Sequence, residues 1–123
     1  MKILKSGEDY LEAIYNLSKN NSQIRSIDIA KTLNVTKAST FNALKILAKE
    51  DCIEKEYYGA VTLTEKGLKL AKSVEQKHKA ITKLLIEILK VTPKIAEIDA
   101  CKIEHNLSEE TTRKLFEFLK IAD

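Results

Sequence analysis

A chain of 123 residues has room for one hydrophobic core, or for a small domain and a helical extension that shares it. With 44% hydrophobic and 32% charged residues and only 3 Gly and 1 Pro, the sequence is not that of a disordered chain, and its composition predicts a mainly helical protein. The net charge of +3 does not by itself demand a nucleic-acid partner, so such a role depends on where the positive charges gather. No apolar run reaches the ~20 residues of a membrane span, and Leu84 to Leu89 is bracketed by Lys83 and Lys90. Met1 to Lys5 is too short and too quickly charged for a secretory signal. These features predict a cytoplasmic protein with no membrane partner, in which Cys52 and Cys101 are free thiols or ligands rather than a disulfide.

In chain order, Ser6 or Gly7 opens a helix whose early acids, Glu8, Asp9 and Glu12, suit the positive end of a helix dipole. Its apolar stripe is Leu11, Ile14, Tyr15 and Leu17, and Asp9 and Glu12, three apart, share a face. Asn20 to Ser22 ends it. A short helix follows from Ser26 or Asp28 to Leu33, then a tight Asn34-Val35 connection, then a longer helix capped by Thr36 and running from Lys37 to about Lys49. Short helix, tight turn, longer helix is the helix-turn-helix plan, with Ala30 at the close approach and Ile29, Leu33, Val35, Leu44 and Leu47 as core.

The start of that third helix carries small and hydrogen-bonding residues suited to a DNA major groove. Asn42 can read an adenine edge and Ala38 can touch a thymine methyl. Thr36, Lys37, Ser39 and the N-terminal amides are expected near the backbone phosphates, and Thr40, Arg25 and Ser26 are further DNA-binding candidates. Ile53 to Tyr57 and Val61 to Thr64, around a turn containing Gly59, predict a β-hairpin that acts as a wing, with Lys55, Tyr57 and Tyr58 as backbone contacts. Residues 1–72 hold 12 Lys or Arg against 9 acids, and residues 73–123 hold 9 against 9, so the positive excess lies in the winged half. The expected organisation is therefore a winged helix-turn-helix over 1–72 and a helical domain over 73–123.

In the second half, Leu68, Ala71, Val74, His78, Ile81, Leu84, Leu85 and Ile88 recur at helical spacing from Thr64-Glu65 to about Lys90. Pro93 opens a further helix with Ile95 and Ile98, and Leu107 to Glu110 begin a last one with Leu115, Phe116, Phe118 and Leu119 on its apolar face. The helix after Pro93 carries Cys101, Glu104 and His105 on one face. A thiol, a carboxylate and an imidazole together form a ligand set for a first-row transition ion rather than for calcium or magnesium. Asp9 and Glu12 can complete it if the first helix packs beside the last ones. His78 is a sixth candidate and Glu97, four residues before Cys101, a further one. Cys52 reads as a small buried hydrophobe.

The segments Glu8 to Tyr15, the Ile29-Ala30 helix-turn-helix, Leu63 to Gly67, Lys77-His78 and Asp99 to Ser108 together resemble the diphtheria toxin repressor and manganese transport regulator (DtxR/MntR) family. The resemblance covers nearly the whole chain, and Cys-x-x-Glu-His followed by Leu-Ser is its most specific part. It implies a dimeric, metal-activated repressor of metal-homeostasis genes that binds a palindromic DNA operator, mainly α with a small wing and a helical dimerisation domain. It also implies that Asp9, Glu12, His78, Cys101, Glu104 and His105 hold the activating metal. By the same resemblance Asp9 and Glu12 are like the manganese-responsive branch and Cys101 is like members that include iron sensors. Glu97 and Thr82 stand where iron-responsive members place second-site ligands. The expected cofactor is thus Mn²⁺ or Fe²⁺, with Co²⁺, Ni²⁺ or Zn²⁺ as substitutes in vitro. Longer members add an SH3-like domain, and this chain ends at Asp123 without one. Other readings are a winged-helix regulator that senses oxidants or a small molecule through Cys101, a protein-interaction module and a metalloenzyme. The last lacks a general base or oxyanion device, so the protein is expected not to be an enzyme.

Overall fold

The computed structural model describes residues 5–21, 23–56 and 59–120. Tyr57 and Tyr58, expected as wing contacts, lie outside the described residues. The elements run α1 (Lys5–Ser18), α2 (Ser26–Leu33), α3 (Lys37–Lys49), β1 (Ile53–Lys55), β2 (Val61–Leu63), α4 (Glu65–Lys83), a π-helical turn (Leu84–Ile88), α5 (Pro93–Ile103) and α6 (Glu109–Leu119). They form two units, Met1–Lys72 and Ser73–Asp123. Among the described residues no helix is long and apolar enough to cross a membrane.

In the first unit, α1 buries Tyr10, Leu11 and Ile14 against Ile29 of α2, Leu44 and Leu47 of α3, and Ile53 and Val61 of the hairpin. Tyr15, Leu17 and Leu33 pack partly buried on this core. The α2–α3 turn is tight because Asn34 adopts the left-handed conformation at φ 55°, which Asn tolerates better than most residues. The Val35 N–H then donates to the Ala30 carbonyl at 3.0 Å. That geometry turns the Val35 side chain outward, 39% exposed, so Val35 is not the core residue its hydrophobicity suggested. Thr36 caps α3 as expected, its Oγ1 accepting the Ser39 N–H at 3.0 Å.

β1 and β2 pair antiparallel with Ile53 opposite Leu63. A third segment joins them. Arg25 forms an isolated bridge with Ala60, and the Val61 N–H donates to the Ile24 carbonyl at 2.7 Å. The wing is thereby rooted beside the start of α2. Its other root is at Cys52. A Cβ on Gly67 would fall 2.0 Å from the Cys52 carbonyl oxygen, so the first turn of α4 reaches its place only because residue 67 has no side chain. Thr64 Oγ1 donates to the Asp51 carbonyl at 2.6 Å and Lys66 Nζ donates to the Glu50 carbonyl at 2.8 Å, which fastens the same junction to the end of α3.

In the second unit the helix expected to continue to Lys90 is α-helical only to Lys83. It then widens into the π-helical turn, where the Leu89 N–H reaches the Leu84 carbonyl at 3.1 Å. The segment closes with Lys90 at φ 62°. Pro93 stands at the first position of α5, as expected, and Ser108 caps α6 by accepting the Thr111 N–H. Ala80, Ala96 and Ala100 are fully buried, small side chains that let helix backbones approach closely. On α6 only Phe116 is buried. Phe118, expected on the same apolar face, is 65% exposed.

Candidate nucleic-acid interface and candidate metal centre

The first unit presents α3 with Thr36, Lys37, Ala38, Ser39 and Asn42 exposed at or near its N-terminal end. The helix carries Lys37, Lys45 and Lys49 and no acid, so every charge on it is positive. Arg25 and Lys55 are exposed beside it and Ser26 is half-buried. Thr40 is different. It is fully buried and its hydroxyl donates to the Thr36 carbonyl at 3.0 Å, so it is a structural residue of the helix and not a surface group for phosphate. The reason is register: Thr40, Leu44 and Leu47 lie at i, i+4 and i+7, the line that faces the core. Phe41, which sequence reasoning passed over, is 54% exposed with the Lys55 ammonium 5.0 Å from its ring centre. The available signal was that position 41 falls off that buried line.

In the second unit, α4 and α5 bring His78, Glu97, Cys101 and Glu104 together. His78 Nε2 lies 2.7 Å from Glu97 Oε1, and Nδ1 lies 3.1 Å from Glu104 Oε1 and 3.9 Å from Cys101 Sγ. Glu104 is buried, while Glu97 and Cys101 reach the surface. Burial alone pulls the His78 pKa down, but hydrogen bonds and charge from Glu104 and Glu97 outweigh it, and the net position lies above the ordinary 6.5. Thr82, which resemblance put near a second site, spends its hydroxyl on the His78 carbonyl at 2.7 Å.

The donor set fits a transition ion. One ligand atom each from His78, Glu97 and Cys101 lie within 4.8 Å of one another, and donors ~2.0–2.3 Å from a shared ion stand within about 4.5 Å of each other. Glu104 adds a buried carboxylate on the same imidazole. His105 is half-buried in the turn that ends α5. Asp9 and Glu12 are half-buried on α1 of the first unit. Cys52 is fully buried with its thiol donating to the Glu50 carbonyl at 3.7 Å. Burial pushes its pKa up, partly offset by Lys66, so it is an inert packing residue.

Comparison with known proteins finds a match over each part of the chain. The profile of the iron dependent repressor N-terminal DNA binding domain matches residues 2–61, and that of the iron dependent repressor metal binding and dimerisation domain matches residues 64–122. An uncharacterised HTH-type transcriptional regulator of Methanocaldococcus jannaschii is 41% identical over 117 residues, 94% of each chain. The HTH-type transcriptional regulator MntR of Lysinibacillus sphaericus is 31% identical over 118 residues, 96% of this chain and 84% of the relative. Among solved structures, the manganese regulator SloR superposes with a TM-score of 0.82 at 32% identity, covering 99% of this chain and 56% of that one. The chain belongs to the iron-dependent repressor, or DtxR/MntR, family of metal-dependent transcriptional regulators, which are not enzymes. It spans little more than half the length of the solved SloR and T. acidophilum IdeR chains, 56% and 54%.

Proposed function

We propose that this chain is a metal-dependent, DNA-binding transcriptional repressor of metal-homeostasis genes, with Mn²⁺ or Fe²⁺ as corepressor, acting as a homodimer on a palindromic operator. The observation that carries the reading is the His78 imidazole held between Glu97 and Glu104 with the Cys101 thiol alongside, in a chain that also carries a positive helix-turn-helix. The proposed ligands are His78, Cys101, Glu104 and His105 of the second unit and Asp9 and Glu12 of α1, with Glu97 as an additional donor. Asp9, Glu12 and His105 are included on the family relationship. A divalent ion supplies two positive charges at a point where the chain gathers carboxylates.

The residues themselves account for a switch. Without that charge, the His78 imidazole itself is the hydrogen-bond partner of Glu97 and Glu104; metal loading requires a deprotonated ring nitrogen and thiolate. On this reading the ion, as corepressor, fixes the orientation of the winged domains in a dimer. In a dimer this sets the separation of two recognition helices, which must match half-sites ~34 Å apart. DNA and metal then favour the same state, so each tightens binding of the other. Exposed Ile88, Leu89, Ile95, Ile98 and Phe118 on the second unit support a homodimer, since so much apolar area is rarely left to water.

The test is duplex affinity of the full chain with Mn²⁺ or Fe²⁺ and with a chelator. Metal should raise it at least tenfold. Equal affinity in chelator removes the metal switch, and a His105→Ala chain that keeps its helical content but loses the response supports it. One observation favours redox sensing as a second reading: the exposed Cys101 thiol beside the His78 ring. Peroxide that abolishes DNA binding of the metal-free protein would select it.

A further inference from the structure

The DNA reading leaves Phe41 unexplained. It is a large apolar side chain, more than half exposed, on the helix that bears Asn42. It stands three residues after Ala38 and four before Lys45, so these three form one exposed line along α3, about a third of a turn from the buried line of Thr40, Leu44 and Leu47. Lys55 of β1 lies over its ring, 5.0 Å from the centre, which joins the helix to the wing strand. Around it the charge is positive: Lys37, Lys45 and Lys49 lie on the helix, which has no acid to repel a phosphate chain.

We infer that Phe41 is a specificity-determining residue whose ring packs on the C5-methyl of a thymine in the major groove, while Lys55, held against the ring, contacts an adjacent phosphate. The inference rests on the proposed DNA function and names the base chemistry that the helix selects. Apolar contact is how a side chain distinguishes thymine, because the methyl is the one apolar group in the major-groove pattern of the bases. Asn42, the neighbouring exposed residue, offers the complementary polar readout of adenine, so the two together discriminate both members of an A·T-rich step. A cation over the ring serves the backbone and leaves the ring edge for the methyl.

The experiment selects duplexes from a randomised DNA library with the full chain in Mn²⁺ or Fe²⁺, in parallel with Phe41→Ala and Phe41→Leu, each checked for unchanged thermal unfolding. The wild-type sites should hold thymine at one fixed position per half-site, and deoxyuridine there should weaken binding about fourfold for each methyl removed. Phe41→Ala should lose that preference and become indifferent to the deoxyuridine exchange while keeping the other selected positions; Phe41→Leu should keep part of it. If Phe41→Ala retains the thymine preference and the deoxyuridine penalty, and loses only affinity with a shallower salt dependence, the ring merely orients Lys55 and the inference is overturned. If no variant, wild type included, retains duplex DNA at any salt concentration, the inference falls together with the reading it rests on.

Discussion

His78 Nδ1 faces Glu104 Oε1 at 3.1 Å, and the carboxylate it faces is buried. A buried carboxylate is costly unless paired with a cation. In the metal-free protein the group placed to supply that cation is the His78 imidazole, when protonated.

A pH dependence follows. His78 sits above 6.5 in the folded state, so its contribution is fully present below about pH 6.5 and is lost as pH rises through the raised value. Denaturant unfolding of the metal-free chain should therefore show stability falling across that window, and His78→Gln should flatten the fall. Metal affinity should run the other way, weakening as pH drops, because protons and the ion compete for the same ring. A metal affinity independent of pH between 6 and 8 would exclude His78 from the ligand set.

Thr40 and Asn42 separate stability from recognition. Thr40→Val removes a buried hydroxyl and its bond to the Thr36 carbonyl, and should cost about 1 kcal/mol of stability with sequence preference unchanged. Asn42→Ala should leave unfolding unaltered and lose about 1–3 kcal/mol of discrimination at one base position. Chemical denaturation and binding to selected duplexes, run on the same two variants, check both halves.

Gly67→Ala tests the junction between wing and α4. The added Cβ meets a backbone carbonyl that cannot swing away as a side chain would, so strain of about 1–3 kcal/mol is expected, read as a lower unfolding midpoint of the full chain. Gly59 provides the contrast. A Cβ there has ordinary clearance, 3.5 Å from the Arg25 guanidinium, and its φ of 98° makes the penalty conformational instead.

Cys101 sets the choice of ion. Replacing its soft sulfur by a carboxylate, Cys101→Glu, should shift activation of DNA binding toward Mn²⁺ and away from Zn²⁺ and Fe²⁺. Titrations with Mn²⁺, Fe²⁺, Co²⁺ and Zn²⁺ under reducing conditions, reading DNA affinity, measure the shift. An unchanged order of potency means that sulfur does not bind the ion.

Much of this was legible in the residues because it depends on local chemistry. Thr36 as a cap, Pro93 as a helix start, the alternation of helices around Asn34 and the hairpin about Gly59 are each set by a few neighbouring side chains. What was not legible is collective. The sequence from Leu84 to Ile88 has an uninterrupted helical period, and nothing in it distinguishes bonding to the fourth residue back from bonding to the fifth. Val35 looks like core by composition, yet a left-handed Asn34 points it outward. Cys101 and Glu104 share a helical spacing that sequence alone shows, whereas α5 ends at Ile103 and His105 lies in the turn beyond it. Placing His78 between Glu97 and Glu104 needed the pairing of α4 with α5, which no local pattern states.

The bridge of Arg25 to Ala60 ties the wing to the start of α2, and Lys66 on the Glu50 carbonyl ties the start of α4 to the end of α3. Each copy then carries half of a ruler. On the proposed function, such a protein tolerates substitutions within a half-site gradually but rejects an added or deleted base pair between half-sites outright. Its target would be recognised as much by distance as by letters.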